Sequence, residues 1–330
     1  MDEYYDWITN IDTLNFEKKS ILIIGLGKMG QEHAKACKKM NINDITVIAP
    51  EETAKKFCEK NNIKLINRKF EECLKNIRKK DLIIIATPIS KLLDVAKLAI
   101  KCGQENILVE KPGSVNYKKL FGFQKNIQKQ NVRIGYNRLC YPSFHKLLQC
   151  IKNDGGVSSC RFTFTEIIDR INFDSDLPEI YNKWGISNSL HVISMAMELI
   201  GMPKKIVANQ SGKLHWHKSG SIFVGCGISE KNIPFTYHAD WQGSGRWGIE
   251  LSTKKNLYQL VPLEKLYCCP KGKFDWKEIP LNTSYSEVKT GVAEEIAIML
   301  SNRKKMKKEM VSLSKAIEFN KLADKIFGYS

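Results

Sequence analysis

The sequence predicts an α/β fold: a doubly wound parallel sheet in the N-terminal part, then an α+β part with an open, mainly antiparallel sheet. An apolar strand pattern at residues 20–24 runs into a glycine-rich turn and a helical pattern. Strand and helix patterns then alternate to about residue 132, as they do in parallel α/β sheets. Farther along, segments 158–167 and 232–241 read as strands with polar faces, which favours a sheet with one open face.

Length and composition indicate a globular protein of two domains. The chain has 330 residues, and we predict an extension over 1–19, a first domain over 20–134 and a second over 135–330. Hydrophobic residues make up 43% and charged residues 26%, the balance of a soluble protein. No apolar run approaches the roughly 18–20 residues of a membrane helix, and the acidic, aromatic N-terminus is unlike a secretory signal. We therefore expect a cytoplasmic location and no membrane partner.

Charge and cysteine content bear on possible partners. The net charge is +17, mostly from scattered lysine pairs, with one denser basic run at 303–308. No recognition motif with interleaved aromatic residues accompanies it, so a solvated surface that gathers an anionic substrate is favoured over a nucleic-acid site. The ten cysteines include no C-x-x-C pair, which favours reduced thiols over a zinc site.

The glycine-rich turn has the spacing of a dinucleotide-binding loop. Gly25, Gly27 and Gly30 form G-x-G-x-x-G between the first strand and the following helix. The first glycine permits the tight turn, the second lets the backbone approach a pyrophosphate, and the third lets the helix pack against the strand. The helix N-terminal amides would then face the phosphates. The first domain is therefore predicted to bind a dinucleotide.

The end of the second strand leaves NAD and NADP both open. NAD enzymes usually place a carboxylate there for the adenosine ribose, but Ala49 and Pro50 occupy the position and Glu51 comes late. The missing carboxylate removes a group that would repel a 2′-phosphate, and Lys55 and Lys56 lie downstream. NADP is therefore possible, and NAD is equally possible if Glu51 turns toward the ribose.

Several segments together resemble the glucose–fructose oxidoreductase and inositol dehydrogenase (Gfo/Idh/MocA) family. They are GLGKMGQEHAKA, ATP, VEKPGS and GYNRLCYPSF, and the resemblance covers most of the chain from about Ser20. It implies a Rossmann domain, NAD or NADP as cofactor, and a second domain on an open sheet. A narrower resemblance, through SNS-x-HVI and GRWGIEL, is to a subgroup of bacterial surface-polysaccharide sugar pathways.

The family resemblance implies roles for individual residues. It implies cofactor contacts, through side chains or amides, for Gly25, Gly27, Lys28, Met29, Gly30, Thr87, Pro88, Glu110, Lys111 and Asn137. Lys111 would reach the substrate, and Arg138 would approach it. Thr87, Pro88, Glu110 and Lys111 also follow predicted strands, at the edge where α/β sheets bind ligands. A surface lysine after a strand is the alternative for Lys111.

His191 is the second candidate for proton transfer. It starts an apolar helical pattern after SNSL, where the family usually has an Asp four residues before the His. Ser187 stands at that place, with Asn188 beside it, which puts a mechanism by an Asp–His pair in doubt. A histidine of ordinary pKa, about 6.5, suits acid–base work near neutrality, whereas the alternative is a residue that braces its helix. The resemblance favours catalysis by Lys111 and His191.

Other residues of the second half are candidates for substrate contacts or are structural. Tryptophan rings can stack on a sugar and arginine can pair with a phosphate or carboxylate, although core or interface tryptophans are the alternative. The predicted substrate set is Arg138, Trp184, Asn188, His191 and Arg246, with Trp247 a further candidate. His215 and His217 alternate as if on a strand, and without a third ligand we expect exposed residues and no metal. Helices near 284–300 and 311–327 are predicted to be structural.

These patterns predict an NAD(P)-dependent oxidoreductase. It would transfer a hydride between nicotinamide and a secondary alcohol or ketone of a sugar or nucleotide-activated sugar, with Lys111 and His191 moving the proton. A noncatalytic nucleotide-binding regulator is the alternative. We expect a small anionic substrate, a homo-oligomer formed through the open sheet, and no nucleic-acid partner.

Overall fold

The computed structural model describes residues 2–50, 52–127, 129–171, 173, 178–303, 306 and 309–329. Its contacts divide the chain into two compact units. The Rossmann unit consists of residues 10–137 and 283–317, and the sheet unit of residues 1–9, 138–282 and 318–330. This grouping differs from the three successive segments predicted from sequence, because the chain returns to the Rossmann unit near its C-terminal end.

The secondary structure of both units is numbered in chain order. The strands are β1 (Ser20–Ile24), β2 (Asp44–Ile48), β3 (Lys64–Ile66), β4 (Leu82–Ile85), β5 (Asn106–Glu110), β6 (Asn131–Gly135), β7 (Val157–Phe164), β8 (Pro203–Ser211), β9 (Ile222–Ser229), β10 (Pro234–Asp240), β11 (Trp247–Thr253), β12 (Asn256–Leu260), β13 (Tyr267–Pro270) and β14 (Lys277–Glu278). The α-helices are α1 (Asp2–Ile8), α2 (Lys28–Lys39), α3 (Glu52–Lys60), α4 (Phe70–Cys73), α5 (Leu92–Lys101), α6 (Tyr117–Gln124), α7 (Pro142–Asn153), α8 (Pro178–Asn182), α9 (Leu190–Ile200), α10 (Val292–Leu300) and α11 (Leu313–Phe327).

The Rossmann unit contains a six-stranded parallel sheet in the order β3-β2-β1-β4-β5-β6. The central strands read as continuous apolar runs, such as Ile21–Ile24 and Leu82–Ile85, and these residues are at most 1% exposed. Continuous apolar runs are expected where helices cover both faces of a sheet. The order changes direction at β1, so that the carboxyl ends of β1 and β4 form the crevice where such folds bind ligands. The predicted doubly wound sheet is confirmed.

The sheet unit contains an eight-stranded mixed sheet in the order β14-β13-β12-β11-β7-β10-β9-β8. Neighbouring strands are antiparallel except β7 and β10, which are parallel. Burial alternates along β10, where Phe235, Tyr237 and Ala239 are buried and the residues between them are exposed. One face therefore packs inward and the other is open, as the polar-faced strand patterns predicted.

The structure corrects one predicted helix near the C-terminus. The sequence predicts a helix near residues 284–300, but α10 begins only at Val292. The preceding Gly291 has φ 85°, a left-handed conformation that ends any helical run entering from the N-terminal side. The basic run singled out in the sequence falls largely outside the described residues, at 304, 305, 307 and 308. Within the described part of the chain, no helix combines the length and apolarity that a membrane span requires.

Candidate functional site

The glycine loop after β1 is built for close backbone approach. Gly25 has φ +91°, and a Cβ atom there would lie 2.6 Å from the carbonyl oxygen of Ala86 at the end of β4. A Cβ atom at Gly30 would overlap the carbonyl oxygen of Gly25. These two glycines therefore let the loop, the first turn of α2 and β4 pack against one another, which a side chain at either position would prevent.

Gly27 differs from the other two glycines because space is open beside it. It is the N-cap of α2, and a Cβ atom there would meet no atom within 4 Å. No side chain caps the helix, whose first residues are Lys28 and Met29. The amides of the first helical turn have no partner within the helix, and with the helix dipole they attract an anion. The open space in front of Gly27 therefore fits the pyrophosphate of a dinucleotide.

The end of β4 contributes Thr87 and Pro88 to the same edge of the sheet. The Thr87 hydroxyl oxygen is buried and has no hydrogen-bond partner in the described part of the chain. Buried hydroxyls are normally paired, so an unpaired one at the ligand edge suits a ligand atom as its partner. Pro88 is exposed and begins the turn that leads to α5.

The adenosine end of the crevice is only partly described. Ala49 is buried and Pro50 exposed, so that neither supplies a carboxylate. Lys55 and Lys56 are exposed on α3, while Glu51 lies outside the described residues. The choice between NAD and NADP therefore stays open, as it was from the sequence.

Glu110, Lys111 and Asn137 lie along the other side of this edge. Glu110 is the last residue of β5 and is 8% exposed, and Lys111 follows it half-buried. The side-chain amide of Asn137 donates a hydrogen bond of 3.0 Å to the carbonyl oxygen of Thr290. This bond fixes Asn137 just after the end of β6.

Two ionisable residues beside Glu110 were missed by sequence reasoning. His33 Nε2 lies 2.6 Å from Glu110 Oε1 and 3.7 Å from Glu295 Oε1. His33 lies within the stretch that carries the family resemblance, three residues after Gly30, but no pattern indicated its partner 77 residues away. Glu295 lies on α10, within a predicted helix, but no sequence pattern indicates that this helix packs beside β5.

Burial dominates the electrostatics of α10. It raises the pKa of Glu295 well above its ordinary value, with the nearby charge of Glu110 as the next cause. It also raises the pKa of the adjacent Glu294 to about 7, although backbone hydrogen bonds oppose the shift. Both residues lie in the first turn of the helix, where the dipole favours a carboxylate. Desolvation outweighs that effect at both positions.

In the sheet unit, His191 lies in a buried aromatic and basic group. It is the second residue of α9 and is 4% exposed. The sequence predicts a helix start here, but a π-helical turn over Gly185–Ser189 runs directly into α9, so the helical run begins several residues earlier. The His191 ring centroid lies 6.0 Å from that of Trp247. The guanidinium carbon of Arg138 lies 4.8 Å from the same indole ring, a cation–π contact. The structure therefore brings His191 and Arg138 to one tryptophan.

A buried carboxylate, Glu166, organises the turn before His191, and sequence reasoning missed it. Asn188 Nδ2 donates to Glu166 Oε2 at 2.7 Å, and Ser189 Oγ donates to Oε1 at 2.5 Å. Ser187 stands where the family has an Asp, and its hydroxyl donates to the carbonyl oxygens of Ile180 and Lys183. Residues Gly185–Ser189 form a π-helical turn, a feature found often at functional sites. A carboxylate therefore is present near the altered motif, supplied by the chain segment after β7.

The remaining predicted substrate residues have different environments. Trp184 is half-buried and stacks on Tyr181, with ring centroids 6.1 Å apart. It also meets Trp216 edge-on at 6.2 Å. Arg246 is exposed, and its carbonyl oxygen accepts a hydrogen bond from Thr163. Trp184 is thus tied to an aromatic cluster, whereas the Arg246 side chain points to solvent.

The structure corrects the expectation for one of the two histidines in LHWHK. His215 is exposed as predicted, but His217 is fully buried, and neither lies in a strand. His217 Nδ1 donates to the Gly220 carbonyl oxygen at 2.7 Å, so its Nε2 accepts from the hydroxyl of Tyr329, also at 2.7 Å. Burial lowers the pKa of His217 to about 4. It is a neutral structural residue, because both ring nitrogens are satisfied within the fold.

Comparison with known proteins gives a family for the N-terminal part. The model of an oxidoreductase family with an NAD-binding Rossmann fold, GFO_IDH_MocA, matches residues 19–138. No curated protein matches the sequence. Solved structures do match over nearly the whole chain, although at low sequence identity.

Three of these structures illustrate the likeness. A putative NADPH-dependent oxidoreductase from Desulfitobacterium hafniense is 15% identical, with a TM-score of 0.79 and 95% of each chain covered. UDP-N-acetylglucosamine 3-dehydrogenase from Acidithiobacillus ferrooxidans is 14% identical, with a TM-score of 0.72 over 94% of this chain and 97% of that one. An Agrobacterium radiobacter oxidoreductase in complex with NAD+, L-tartaric acid and magnesium is 11% identical, with a TM-score of 0.74 over 94% and 96%. At these identities the likeness is one of fold.

Proposed function

We propose that this protein oxidises or reduces a sugar. The premise is that the chain belongs to the Gfo/Idh/MocA oxidoreductase family through its NAD-binding Rossmann domain at residues 19–138. The reaction is hydride transfer between a nicotinamide dinucleotide and a secondary alcohol or ketone of a sugar or nucleotide-activated sugar. The observation that carries the proposal is the open space before Gly27, at an uncapped helix N-terminus. The unpaired Thr87 hydroxyl belongs to the segment that packs against Gly25 of the same loop.

The residues that would hold the cofactor follow the edge of the parallel sheet. The glycine loop with the amides of Lys28 and Met29 takes the pyrophosphate, as the uncapped helix start supports. Thr87 and Pro88 would line the nicotinamide side, Glu110 and Lys111 would lie near its ribose, and Asn137 would approach the nicotinamide. When bound, the nicotinamide accepts or supplies the hydride. The chain itself has to bind the sugar and move the proton.

Lys111 and His191 are the proposed proton-transfer groups. Alcohol oxidation requires a base for the hydroxyl proton, and ketone reduction requires the same group as an acid. Lys111 is half-buried after β5, and His191 is buried beside Trp247, so both environments differ from that of a solvated surface residue. Arg138 adds a positive charge that can stabilise an alkoxide-like oxygen or pair with an anionic substrate.

A sugar substrate is supported by the aromatic and polar character of the sheet unit. Trp247 and Trp184 are half-buried rings in contact with Arg138 and Tyr181, and Asn188 is oriented by Glu166. Among the structural neighbours, one is a UDP-N-acetylglucosamine dehydrogenase, which is consistent with a nucleotide-activated sugar in a surface-glycan pathway. Arg246 remains a candidate for the anionic group of such a substrate because its side chain is exposed.

We further propose that the open sheet face joins copies of this chain. Val207, Val224 and Ile228 on β8 and β9 are 61%, 37% and 42% exposed, an unusual set of apolar residues on adjacent strands. Light scattering after size-exclusion chromatography tests the assembly. The wild-type protein should have the mass of more than one chain, and the double variant Val207→Lys, Val224→Lys the mass of one chain. If the double variant keeps the mass of the wild-type oligomer, the contact between copies lies on another surface.

The function is tested in two steps with the intact protein. A thermal-shift screen against NAD(H), NADP(H) and nucleotide sugars identifies ligands, and absorbance at the nicotinamide band then follows turnover with each sugar class. We expect a dinucleotide to stabilise the protein and at least one sugar or nucleotide sugar to be oxidised or reduced. Dinucleotide binding without turnover across the panel would favour the noncatalytic regulator. The absence of dinucleotide binding would refute both the oxidoreductase and the regulator.

A further inference from the structure

Three buried ionisable side chains meet inside the Rossmann unit at the carboxyl end of β5. They come from α2, β5 and α10, and they are His33, Glu110 and Glu295. The side chains of His33 and Glu295 are fully buried, and that of Glu110 is 11% exposed. The proposed hydride transfer assigns no role to His33 or Glu295, although the group adjoins Lys111.

The hydrogen-bond pattern locates the histidine proton. His33 Nδ1 is buried and lacks a hydrogen-bond partner in the described chain, so no acceptor is present for a proton on that nitrogen. Nε2 lies 2.6 Å from Glu110 Oε1, the length of a strong charge-assisted bond. His33 therefore donates through Nε2 to a Glu110 carboxylate.

Glu295, unlike Glu110, accepts no hydrogen bond from the described residues that would offset the burial of its carboxyl group. Both of its carboxyl oxygens are buried without a hydrogen bond from any described residue, and the nearer one lies 3.7 Å from His33 Nε2. Glu110 and the neighbouring Glu294 add negative charge around it, whereas Lys289 adds positive charge. A buried carboxylate without donors is costly, and two carboxylates this close cannot both ionise without a penalty. The neutral acid is therefore the favoured form of Glu295.

A metal ion is the other way to neutralise such a group. One ligand atom from each of the three residues lies within 4.8 Å of the others. However, two atoms bound to one ion at about 2.0–2.2 Å lie roughly 3 Å or more apart, since ligands around a metal ion avoid one another. The 2.6 Å between His33 and Glu110 is shorter and matches a hydrogen bond. The geometry therefore favours a proton over a cation.

We propose that Glu295 is a positioning residue: as a neutral acid it permits the His33–Glu110 pair to form in the core, and this pair fixes the end of β5 from which Lys111 follows. The inference rests on the proposed function, because the importance of this strand end comes from the expected contacts of Glu110 and Lys111 with the cofactor. Loss of the Glu295 proton at alkaline pH places two carboxylates side by side. Their repulsion displaces Glu110 and weakens dinucleotide binding.

The test compares Glu295→Gln, a neutral isostere, with wild type and with Glu287→Gln, an exposed glutamate of the same unit. The dissociation constants of NADH and NADPH are measured by fluorescence from pH 6.5 to 9.5. Urea unfolding without cofactor is followed at the same pH values. A third variant, Glu295→Lys, adds a buried charge that a neutral site should not tolerate.

We expect Glu295→Gln to bind the dinucleotide within about twofold of wild type at pH 6.5, because glutamine mimics the protonated acid. Above the pH at which Glu295 ionises, affinity should fall by up to about tenfold per pH unit in wild type and Glu287→Gln, and stay level in Glu295→Gln. As pH rises, the unfolding free energy should decline less in Glu295→Gln than in wild type. Glu295→Lys should weaken binding at every pH or fail to fold.

Three results would overturn the proposal. One is folded Glu295→Gln protein that has lost dinucleotide binding at pH 6.5, which would mean that the carboxylate itself is required. Another is an alkaline loss of affinity and stability that persists unchanged in Glu295→Gln. The third is stoichiometric calorimetric binding of ZnCl2 or MnCl2 that Glu295→Gln abolishes. If no form binds a dinucleotide, the proposed function fails, while unfolding without cofactor still decides whether Glu295 holds the proton.

Discussion

A side chain on Gly30 would overlap the carbonyl oxygen of Gly25. The first turn of α2 and the loop after β1 therefore pack at a distance that only glycine allows. Gly30→Ala should destabilise the Rossmann unit by about 1–3 kcal/mol, the usual cost of forcing an extra methyl group into a packed site. Urea denaturation measures the change. A variant as stable as wild type would show that the loop moves away from the helix at little cost.

Gly27→Val tests the neighbouring position, where space is open. The variant should fold with near-normal stability, since a Cβ atom there meets nothing within 4 Å. It should lose dinucleotide affinity by at least about a hundredfold, because its side chain occupies the space of the pyrophosphate. Titration of NAD(H) and NADP(H) by fluorescence checks this, and Gly122→Val serves as a control, because that glycine of α6 also has open space beside it. Undiminished affinity in folded Gly27→Val protein would remove the basis of the proposed cofactor site.

The contrast among these glycines shows what local sequence can predict. The parallel sheet, the loop and the open second sheet follow from strand patterns and spacing within short segments, and the structure confirms them. The partners of Glu110 and Asn188 could not be predicted in this way. His33 and Glu166 are 77 and 22 residues from them, and the contacts depend on packing that no short-range pattern encodes. The predicted exposure of His217 is wrong for the same reason, since the Tyr329 hydroxyl that hydrogen-bonds to it lies 112 residues away in the chain.

Cofactor preference depends on the end of β2. We expect NADP(H) to bind at least as tightly as NAD(H), because buried Ala49 and exposed Pro50 provide no carboxylate to repel a 2′-phosphate. Lys55 and Lys56 are exposed on α3 and add positive charge to this region. Parallel calorimetric titrations measure the ratio of dissociation constants. A strong preference for NAD(H) that disappears in Glu51→Ala would instead assign the ribose contact to Glu51.

Glu294 should make stability depend on pH. Its pKa is raised by burial to about 7, against about 4.3 in an unfolded chain. Between these values the folded protein keeps a proton that the unfolded chain has lost, so the unfolding free energy falls as pH rises through this window. Above pH 7 this decline in the unfolding free energy amounts to about 4 kcal/mol. Glu294→Gln should therefore stabilise the protein at pH 8 and change little at pH 4, as measured by urea denaturation. Equal effects at both pH values would contradict the shifted pKa.

His191 and Lys111 should each affect turnover more than cofactor binding. If His191 relays a proton, His191→Asn and Lys111→Met should each lower turnover by roughly 10²–10⁴, the range for a lost acid–base group. His191 is only 4% exposed, so that a side chain smaller than asparagine would leave a larger cavity in the core around α9. Asparagine is therefore chosen as the replacement. In the oxidative direction, wild-type turnover should fall on the acid side as the base becomes protonated, and the variants should flatten this limb.

Dissociation constants for the dinucleotide and urea denaturation serve as controls for binding and folding. Near-normal turnover in His191→Asn would assign the histidine to bracing α9 beside Trp247, and Lys111 would remain as the proton-transfer group.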